Sequence, residues 1–413
     1  MNPRARAWAI FTVMVVTYCF SQFYRMSAAV IAVDLAREFG LDPNRLSLLG
    51  GAFFYAFASV QIPLGLALDR WGAKRMVLAG TLLGAFGSVL FGLGTGWVGL
   101  LVGRVLMGLG MAPVLMGSFK LFAEWFPAGA FGGLSGLILG IGTLGSLVAA
   151  TPLAALVGWI GWRGSFIGFG IATLVTSAAI AVVVKDRPPG SEAVEVGPGA
   201  SVLAGLGQVV RLPSFWAMVP LALAGYASVA SLQGLWAGPY FMQGLGYSRT
   251  VTGNILLVLG LSTAVGCLLV GVVSDRWLRS RKWVVVGGNA LAVLFLLPLI
   301  GVGAPSGPVG WAVMLTGFGL LGASRSLIYA HIKESVPPAA VGTAVTAVNL
   351  FVMAGPAVLQ QVIGAVLDRR PGDYRSAFLT VVVSLLLGTL AYLCTRDTHP
   401  TRTTAPSGLP RAS

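Results

Sequence analysis

The chain has 413 residues, of which 56% are hydrophobic and only 10% are charged. Soluble domains carry about 25% charged residues, so this composition excludes an ordinary globular protein. The net charge of +14 would suit a nucleic-acid partner, but the basic residues fall mainly in short gaps between apolar runs, which indicates a polytopic membrane protein with no nucleic-acid partner.

Twelve apolar runs approach the length of about 20 residues that a helix needs to cross a bilayer. In chain order they lie at 8–33, 46–68, 76–95, 97–119, 132–157, 163–184, 214–236, 251–273, 283–303, 309–330, 341–366 and 376–395. The sequence therefore predicts an all-α membrane protein with twelve transmembrane helices.

An even number of spans places both chain termini on one side of the membrane. With the N-terminus inside, the inner connections hold 17 Lys and Arg residues, the outer ones hold 7 when Arg163 at the outer end of the sixth span is included, and 3 lie within spans. Because Lys and Arg are enriched on the cytoplasmic side, we expect a multi-pass protein of the cytoplasmic (inner) membrane with both termini in the cytoplasm.

The longest polar connection divides the spans six and six. It predicts an N-terminal six-helix bundle at 1–185, a cytoplasmic linker at 186–212, a C-terminal six-helix bundle at 213–395 and a disordered tail at 396–413. The two halves also resemble each other, since GLALDRW (65–71) matches GVVSDRW (271–277) at an offset of 206 residues. Two parallel repeats predict a pseudo-twofold axis along the membrane normal, with a substrate cavity between the halves.

The connection after the second span reads GLALDRWGAKR (65–75) and resembles the loop motif of the major facilitator superfamily. The resemblance extends over nearly the whole chain and implies that family's fold of two pseudo-symmetric bundles. Independently of the resemblance, Asp69 ends a helix on the cytoplasmic face, where it can pair with basic residues or cap a neighbouring helix. Such contacts would hold the halves together on that side and break when the carrier opens inward. These gating or coupling candidates are Gly65, Asp69, Arg70, Gly72 and Arg75, with Asp275 and Arg276 in the second copy. A role confined to setting topology is the alternative. Leu278 replaces the second glycine in the second copy and leaves its turn geometry open.

The first span contains an arginine within the run YCFSQFYRMSAAVIA (18–32). Tyr18, Ser21, Gln22 and Arg25 are spaced to share one face of a helix. Charged residues within a span are costly and indicate a functional site, so we expect Arg25 to bind an anion with Tyr18 and Gln22 beside it. Structural hydrogen bonding to carbonyl groups is the alternative. YRMSAAV (24–30) also resembles the first-span pattern of organic-anion carriers in the superfamily.

Two further arginines lie within spans. Arg104 resembles the family's fourth-span arginine, which implies either structural support or proton coupling. Arg325 and Tyr329 give the tenth span a polar face, and we consider them substrate-binding candidates. Gating and snorkelling of Arg325 to the inner surface remain open.

The second half contributes three more substrate-binding candidates. Gln233 lies at heptad spacing between Tyr226 and Tyr240 in the seventh span, with Trp236 beside it. The run WAGP (236–239) predicts a helix broken near the outer side, which would line a cavity, whereas interface aromatics are the alternative. Asn349 in the eleventh span fits either the site or helix–helix contact.

None of the 13 Asp and Glu residues lies clearly in the middle of a span, so the cavity is expected to be positive. We therefore expect a secondary transporter that moves a small organic anion or zwitterion by alternating access, as a proton symporter. The proton would have to use Asp34, His331 or the substrate itself. Proton-antiport efflux of drugs or metabolites and a transporter-like sensor are the alternatives. We expect neither an enzyme nor a cofactor or metal, and we expect a monomer whose partners are the substrate and the lipid bilayer.

Overall fold

The computed structural model describes residues 2–127, 130–188, 207–337 and 341–398, apart from the side chains at positions 66, 69, 131 and 132. The secondary structure of these ranges is helical, as predicted. Nine helices in them are long and apolar enough to cross a membrane by length and composition, and the other spans consist of shorter segments.

The first six spans match the predicted order. They comprise Pro3–Met26 with Ala28–Phe39, Pro43–Ser59 with Gln61–Trp71, Ala73–Leu93, Trp97–Met111 with Pro113–Trp125, Phe131–Val148, and Thr151–Val183. The last of these is interrupted at Gly161, whose φ of 73° turns the chain. The fifth span therefore consists of Phe131–Val148 and the part of Thr151–Val183 that precedes Gly161, and the sixth span is the part that follows it.

The last six spans follow the same plan. They comprise Pro213–Gly244, Arg249–Trp277, Lys282–Leu294 with Leu297–Ile300, Pro308–Glu334, Val341–Arg369 and Tyr374–Tyr392. We call the side that carries Pro3 and Tyr392 the terminal face and the other side the opposite face. The sequence predicts that the terminal face is cytoplasmic.

Helix starts follow capping signals in the sequence. The Asp42 carboxylate accepts a hydrogen bond from the backbone N–H of Arg45, and Ser248 and Asp373 cap the eighth and twelfth spans in the same way. Such caps satisfy N–H groups that have no partner within the helix. The polar residues between spans therefore fix where each helix begins.

The internal repeat is visible in the contacts of the terminal face. Asp186 follows the sixth span and accepts a hydrogen bond from the backbone N–H of Lys74, at the start of the third span. Asp397 follows the twelfth span and accepts one from the backbone N–H of Arg281, at the start of the ninth. Each half thus ties its last span to its third by the same carboxylate cap, which supports the repeat read from the sequence.

The two copies of the loop motif turn differently. Gly72 has φ +83°, and a Cβ there would meet the Asp186 carboxylate at about 3 Å, so glycine is required. In the second half, a π-helical turn at Val273–Trp277 ends the span, and Arg279 takes the positive φ of 44°. Leu278 occupies the position of Gly72 in the second copy, and the turn there forms one residue later, at Arg279.

The prediction that the seventh span is broken at Trp236–Pro239 is wrong. The helix continues through this run, with π-helical turns at Leu232–Trp236 and Tyr240–Gly244 on either side. The wider turns accommodate a proline, which has no N–H to donate. Of the predicted domains, residues 189–206 of the linker and 399–413 of the tail lie outside the described residues, and the four boundaries stay predictions.

Candidate substrate-binding site

Arg25 lies in the last turn of Pro3–Met26, immediately before the helix is interrupted at Ser27. Its side chain is 5% exposed, so it is buried inside the protein and does not face lipid. Buried charges are normally paired with an opposite charge, because removing them from water costs several kcal/mol. The groups around Arg25 therefore decide its role.

Every contact that the structure gives to the Arg25 guanidinium is to a neutral group. It lies 4.5 Å from the centre of the Phe57 ring, and one nitrogen is 3.4 Å from the Ser21 hydroxyl, a long hydrogen bond. The phenols of Tyr18 and Tyr226 lie close enough to interact with its charge. The guanidinium thus keeps its positive charge uncompensated by these neighbours.

Several polar atoms around Arg25 are buried without a hydrogen-bond partner among the described residues. They are the Arg25 Nε, the Gln22 Oε1 and the Tyr226 hydroxyl. Each such group costs about 1–3 kcal/mol relative to a satisfied one. A ligand that carries both a carboxylate and hydroxyl groups would provide hydrogen-bond partners for this donor, this acceptor and this hydroxyl.

A chain of hydrogen bonds crosses from one half of the protein to the other beside this site. The Tyr329 hydroxyl donates to Asn349 at 2.9 Å, and the Asn349 amide donates to Gln61 of the second span at 3.3 Å. Tyr329 also lies within electrostatic reach of Arg25 and Tyr18. The predicted residues Tyr18, Arg25, Tyr329 and Asn349 are therefore brought into one region, which we call the central cluster, and Gln22 lies one turn before Arg25 on the same helix.

Arg104 has a different environment, although it is 1% exposed. Its guanidinium donates hydrogen bonds to the backbone oxygens of Tyr24 at 2.8 Å, Leu49 at 3.2 Å and Gly50 at 3.3 Å. These carbonyls belong to the first and second spans. Arg104 therefore joins three spans and holds the backbone next to Arg25, a geometry that supports the structural role over proton coupling.

Arg325 makes its contacts within the C-terminal six spans. It is 8% exposed, donates to Asn289 of the ninth span at 2.9 Å and lies 5.1 Å from the centre of the Phe318 ring. The structure does not bring its guanidinium to the Arg25 contacts. Because it is buried among helices, snorkelling to the membrane surface does not describe it.

Gln233 and Trp236 are buried at contacts between helices. The Gln233 amide donates to the backbone oxygen of Leu256 at 3.4 Å, and the Trp236 indole donates to that of Gln360 at 3.1 Å. Both therefore support the packing of the seventh span on its neighbours. Their predicted contact with substrate remains a prediction.

The loop candidates contact residues of their own half. Arg70 lies on the Trp71 ring, Gly72 adjoins Asp186, and Asp275 pairs with Arg281, which also binds Glu334. Gly65, Arg75 and Arg276 are exposed, and the side chain of Asp69 lies outside the described residues. A gating role for these residues remains a prediction.

Side-chain hydrogen bonds between the halves are found from the middle of the protein to the opposite face. Arg249 donates to both oxygens of Asp34, at 2.6 and 2.8 Å, and Asn44 donates to Asp368 at 2.6 Å. Tyr55 donates to Gln361 nearer the middle. These contacts hold the opposite face closed.

We expect Asp34→Asn to shift the protein toward a state open on the opposite face, because the ion pair with Arg249 exists only when that face is closed. The pair is about 30% exposed, so its loss should change the population ratio about threefold to fivefold. Distances between spin labels at Arg45 and Arg370, in a background with the native cysteines replaced, measure the shift. The exchanged pair Asp34→Arg with Arg249→Asp should restore the original distribution, and an unchanged distribution in Asp34→Asn would contradict the assignment.

Some residues of the site were missed or undervalued by the sequence analysis. Tyr226 was noted only for its spacing, and Phe57 and Gln61 were not considered. Gln61 is a lone amide in an apolar span, which was a usable signal, whereas a phenylalanine in such a span gives none. Their roles depend on which faces of the second and seventh spans turn toward the first.

Comparison with known families gives one match that covers most of the chain. The family model described as Major Facilitator Superfamily matches residues 14–360 and 239–412. A probable galactarate/D-glucarate transporter of Escherichia coli is 26% identical over 95% of this chain and 93% of its own length. A probable sulfoacetate transporter of Cupriavidus necator is 26% identical over 70% and 71%, and a probable L-galactonate transporter of Escherichia coli is 25% identical over 66% and 64%.

Solved structures share the fold at low sequence identity. A bacterial homologue of the human lysosomal transporter Spinster, in an inward-facing and unoccupied conformation, aligns with a TM-score of 0.74 at 16% identity, over 94% of this chain and 96% of that one. A D-xylose–proton symporter gives the same TM-score, identity and coverage. Both show that the chain shares the fold of these transporters.

Proposed function

The chain belongs to the major facilitator superfamily, and we propose that it carries a small polyhydroxylated organic anion, with Arg25 binding the carboxylate. It is a multi-pass membrane transporter and not an enzyme. We propose that it lies in the cytoplasmic membrane with the terminal face inside, and that it works by alternating access between its two halves.

One observation carries the proposal, namely the buried Arg25 guanidinium whose contacts are all neutral. A carboxylate binds a guanidinium through two parallel hydrogen bonds and supplies the missing charge. The tyrosine hydroxyls and the Gln22 amide beside it can hydrogen-bond to substrate hydroxyl groups. The names of the relatives, among them galactarate/D-glucarate and L-galactonate transporters, are consistent with a sugar acid.

The proposed transport cycle uses the two halves as rigid bodies. The hydrogen bonds on the opposite face close that side while substrate leaves through the terminal face, and their rupture reopens it. Arg25 remains between the halves throughout and is accessible from one side at a time. The predicted coupling to protons is part of this proposal.

Uptake by the purified protein in liposomes tests the proposal. We expect L-galactonate and galactarate to enter, and galactitol, which has the same carbon skeleton but no carboxylate, to be excluded. Unlabelled acids should compete for uptake, whereas unlabelled galactitol should not. Equal entry of galactitol and the two acids would contradict an anion site.

A further inference from the structure

We propose that the coupled proton is bound to the substrate itself. The carrier then moves substrate that has one net negative charge, and a dicarboxylate crosses as its singly protonated monoanion. This inference rests on the proposed function and adds the charge state of the cargo. A monocarboxylate would accordingly cross without a proton.

The charge of the site follows from the groups that face Arg25. On its own helix and on the seventh and tenth spans these are Tyr18, Tyr226 and Tyr329, whose phenols are neutral near pH 7. Arg104 of the fourth span does not contact Arg25, because its guanidinium is bound to three backbone oxygens, one of them the Tyr24 carbonyl next to Arg25. The charge available to substrate is therefore that of Arg25.

The acidic residues whose side chains the structure describes are committed elsewhere. Asp34 lies nine residues beyond Arg25, about 13 Å along a helix axis, and binds Arg249 with both oxygens. Every other acid whose side chain is described also has a partner at one of the two faces, such as Glu38 with Arg163 and Glu334 with Arg281. Asp34 is therefore engaged by Arg249 while the opposite face is closed.

Alternating access requires the protein to close around the site. Net charge that is sealed from water is strongly disfavoured, and one carboxylate on Arg25 compensates the guanidinium that its own neighbours leave unpaired. A dianion would leave one negative charge uncompensated. The carrier should therefore select the form of the substrate whose charge is minus one.

One unsatisfied polar atom on the Arg25 helix can bind a protonated second carboxyl group. The Gln22 Oε1 is a buried acceptor without a donor among the described residues. A carboxylic acid can donate a hydrogen bond to this oxygen, which an ionised carboxylate cannot do. The dianion therefore takes one proton from the water on the entry side, crosses as the monoanion and releases that proton on the exit side.

Galactarate and L-galactonate differ mainly by one carboxyl group and provide the test. We would measure initial uptake at subsaturating concentration into liposomes with the membrane potential clamped at zero, with a pH-sensitive dye inside. Galactarate uptake should fall about tenfold for each pH unit above its second pKa, near 4, and each galactarate should bring one proton. L-Galactonate uptake should change little between pH 5.5 and 7.5 and bring no proton. Coincident pH profiles, or one proton with each L-galactonate, would overturn the inference.

A new acid beside Arg25 provides a second test by gain of function. Ser21→Asp places a carboxylate next to the guanidinium, and this carboxylate must be protonated before a substrate carboxylate can bind. L-Galactonate uptake should then become proton-coupled, whereas the neutral variant Ser21→Asn, which matches it in size, should bring no protons. Proton-free uptake by Ser21→Asp would also overturn the inference.

The same liposomes separate this inference from the proposed function. If Arg25→Ala takes up both acids as well as the wild type does, or if the wild type takes up neither, the anion site itself is refuted. If uptake depends on Arg25 but L-galactonate brings a proton, the proposed function stands and the inference about the proton fails.

Discussion

Replacing Arg25 with alanine is expected to reduce uptake of the substrate anion by at least about 100-fold, because the carboxylate loses its charge-assisted contact in a buried site. Arg25→Lys should retain little activity, since an ammonium group cannot make the forked contact of a guanidinium or stack on the Phe57 ring in the same way. Initial uptake rates in liposomes measure both effects.

The stability of Arg25→Ala distinguishes a binding role from a structural one. A buried charge with neutral neighbours costs free energy in the empty protein, so its removal should leave the melting temperature unchanged or raise it. Arg45→Ala, on an exposed helix start, is the matched control and should transport normally. Normal uptake by Arg25→Ala would refute the binding role, and a large fall in its melting temperature would indicate a structural one.

Replacing Arg104 with alanine is expected to destabilise the protein strongly. Its guanidinium makes three charge-assisted hydrogen bonds to backbone oxygens, each worth about 1.5–3 kcal/mol, and no water replaces them in a buried position. We expect the melting temperature to fall by at least about 5 °C, or the protein to fail to accumulate. Arg104→Lys should be intermediate, because an ammonium group can reach only part of this set.

The opposite effects of the two arginines on stability make the comparison informative. Arg104→Lys that still folds should bind substrate more weakly, because Arg104 fixes the Tyr24 backbone oxygen next to Arg25. Wild-type stability in Arg104→Ala would contradict the structural assignment. Thermal unfolding of both variants, in the same detergent and with no substrate present, provides the measurement.

The sequence was sufficient to predict the twelve spans, because the length of an apolar run is a local signal. It also singled out Arg25, since a polar face on an apolar helix is visible in the spacing of Tyr18, Gln22 and Arg25. It could not separate the roles of Arg25 and Arg104, which are both single arginines in apolar runs. The difference lies in which backbone oxygens the fold brings to each guanidinium.

Other features depended on tertiary structure or on backbone detail. Tyr226 reaches the central cluster from the other half of the protein, so its place depends on how the seventh span crosses the first. Arg325 lies in the same span as Tyr329 but packs against Gly225 of the seventh span and donates to Asn289 of the ninth, contacts that depend on how these spans cross. The run WAGP predicted a break from local propensity, but π-helical turns kept the helix intact.

The central claim is that the Arg25 guanidinium binds a carboxylate of the substrate, and equilibrium binding tests it most directly. Purified wild-type protein should bind L-galactonate at least about 100-fold more tightly than galactitol, and Arg25→Ala should lose this preference while remaining folded. Equal affinity of the wild type for the two compounds, or an undiminished preference in Arg25→Ala, would contradict the claim.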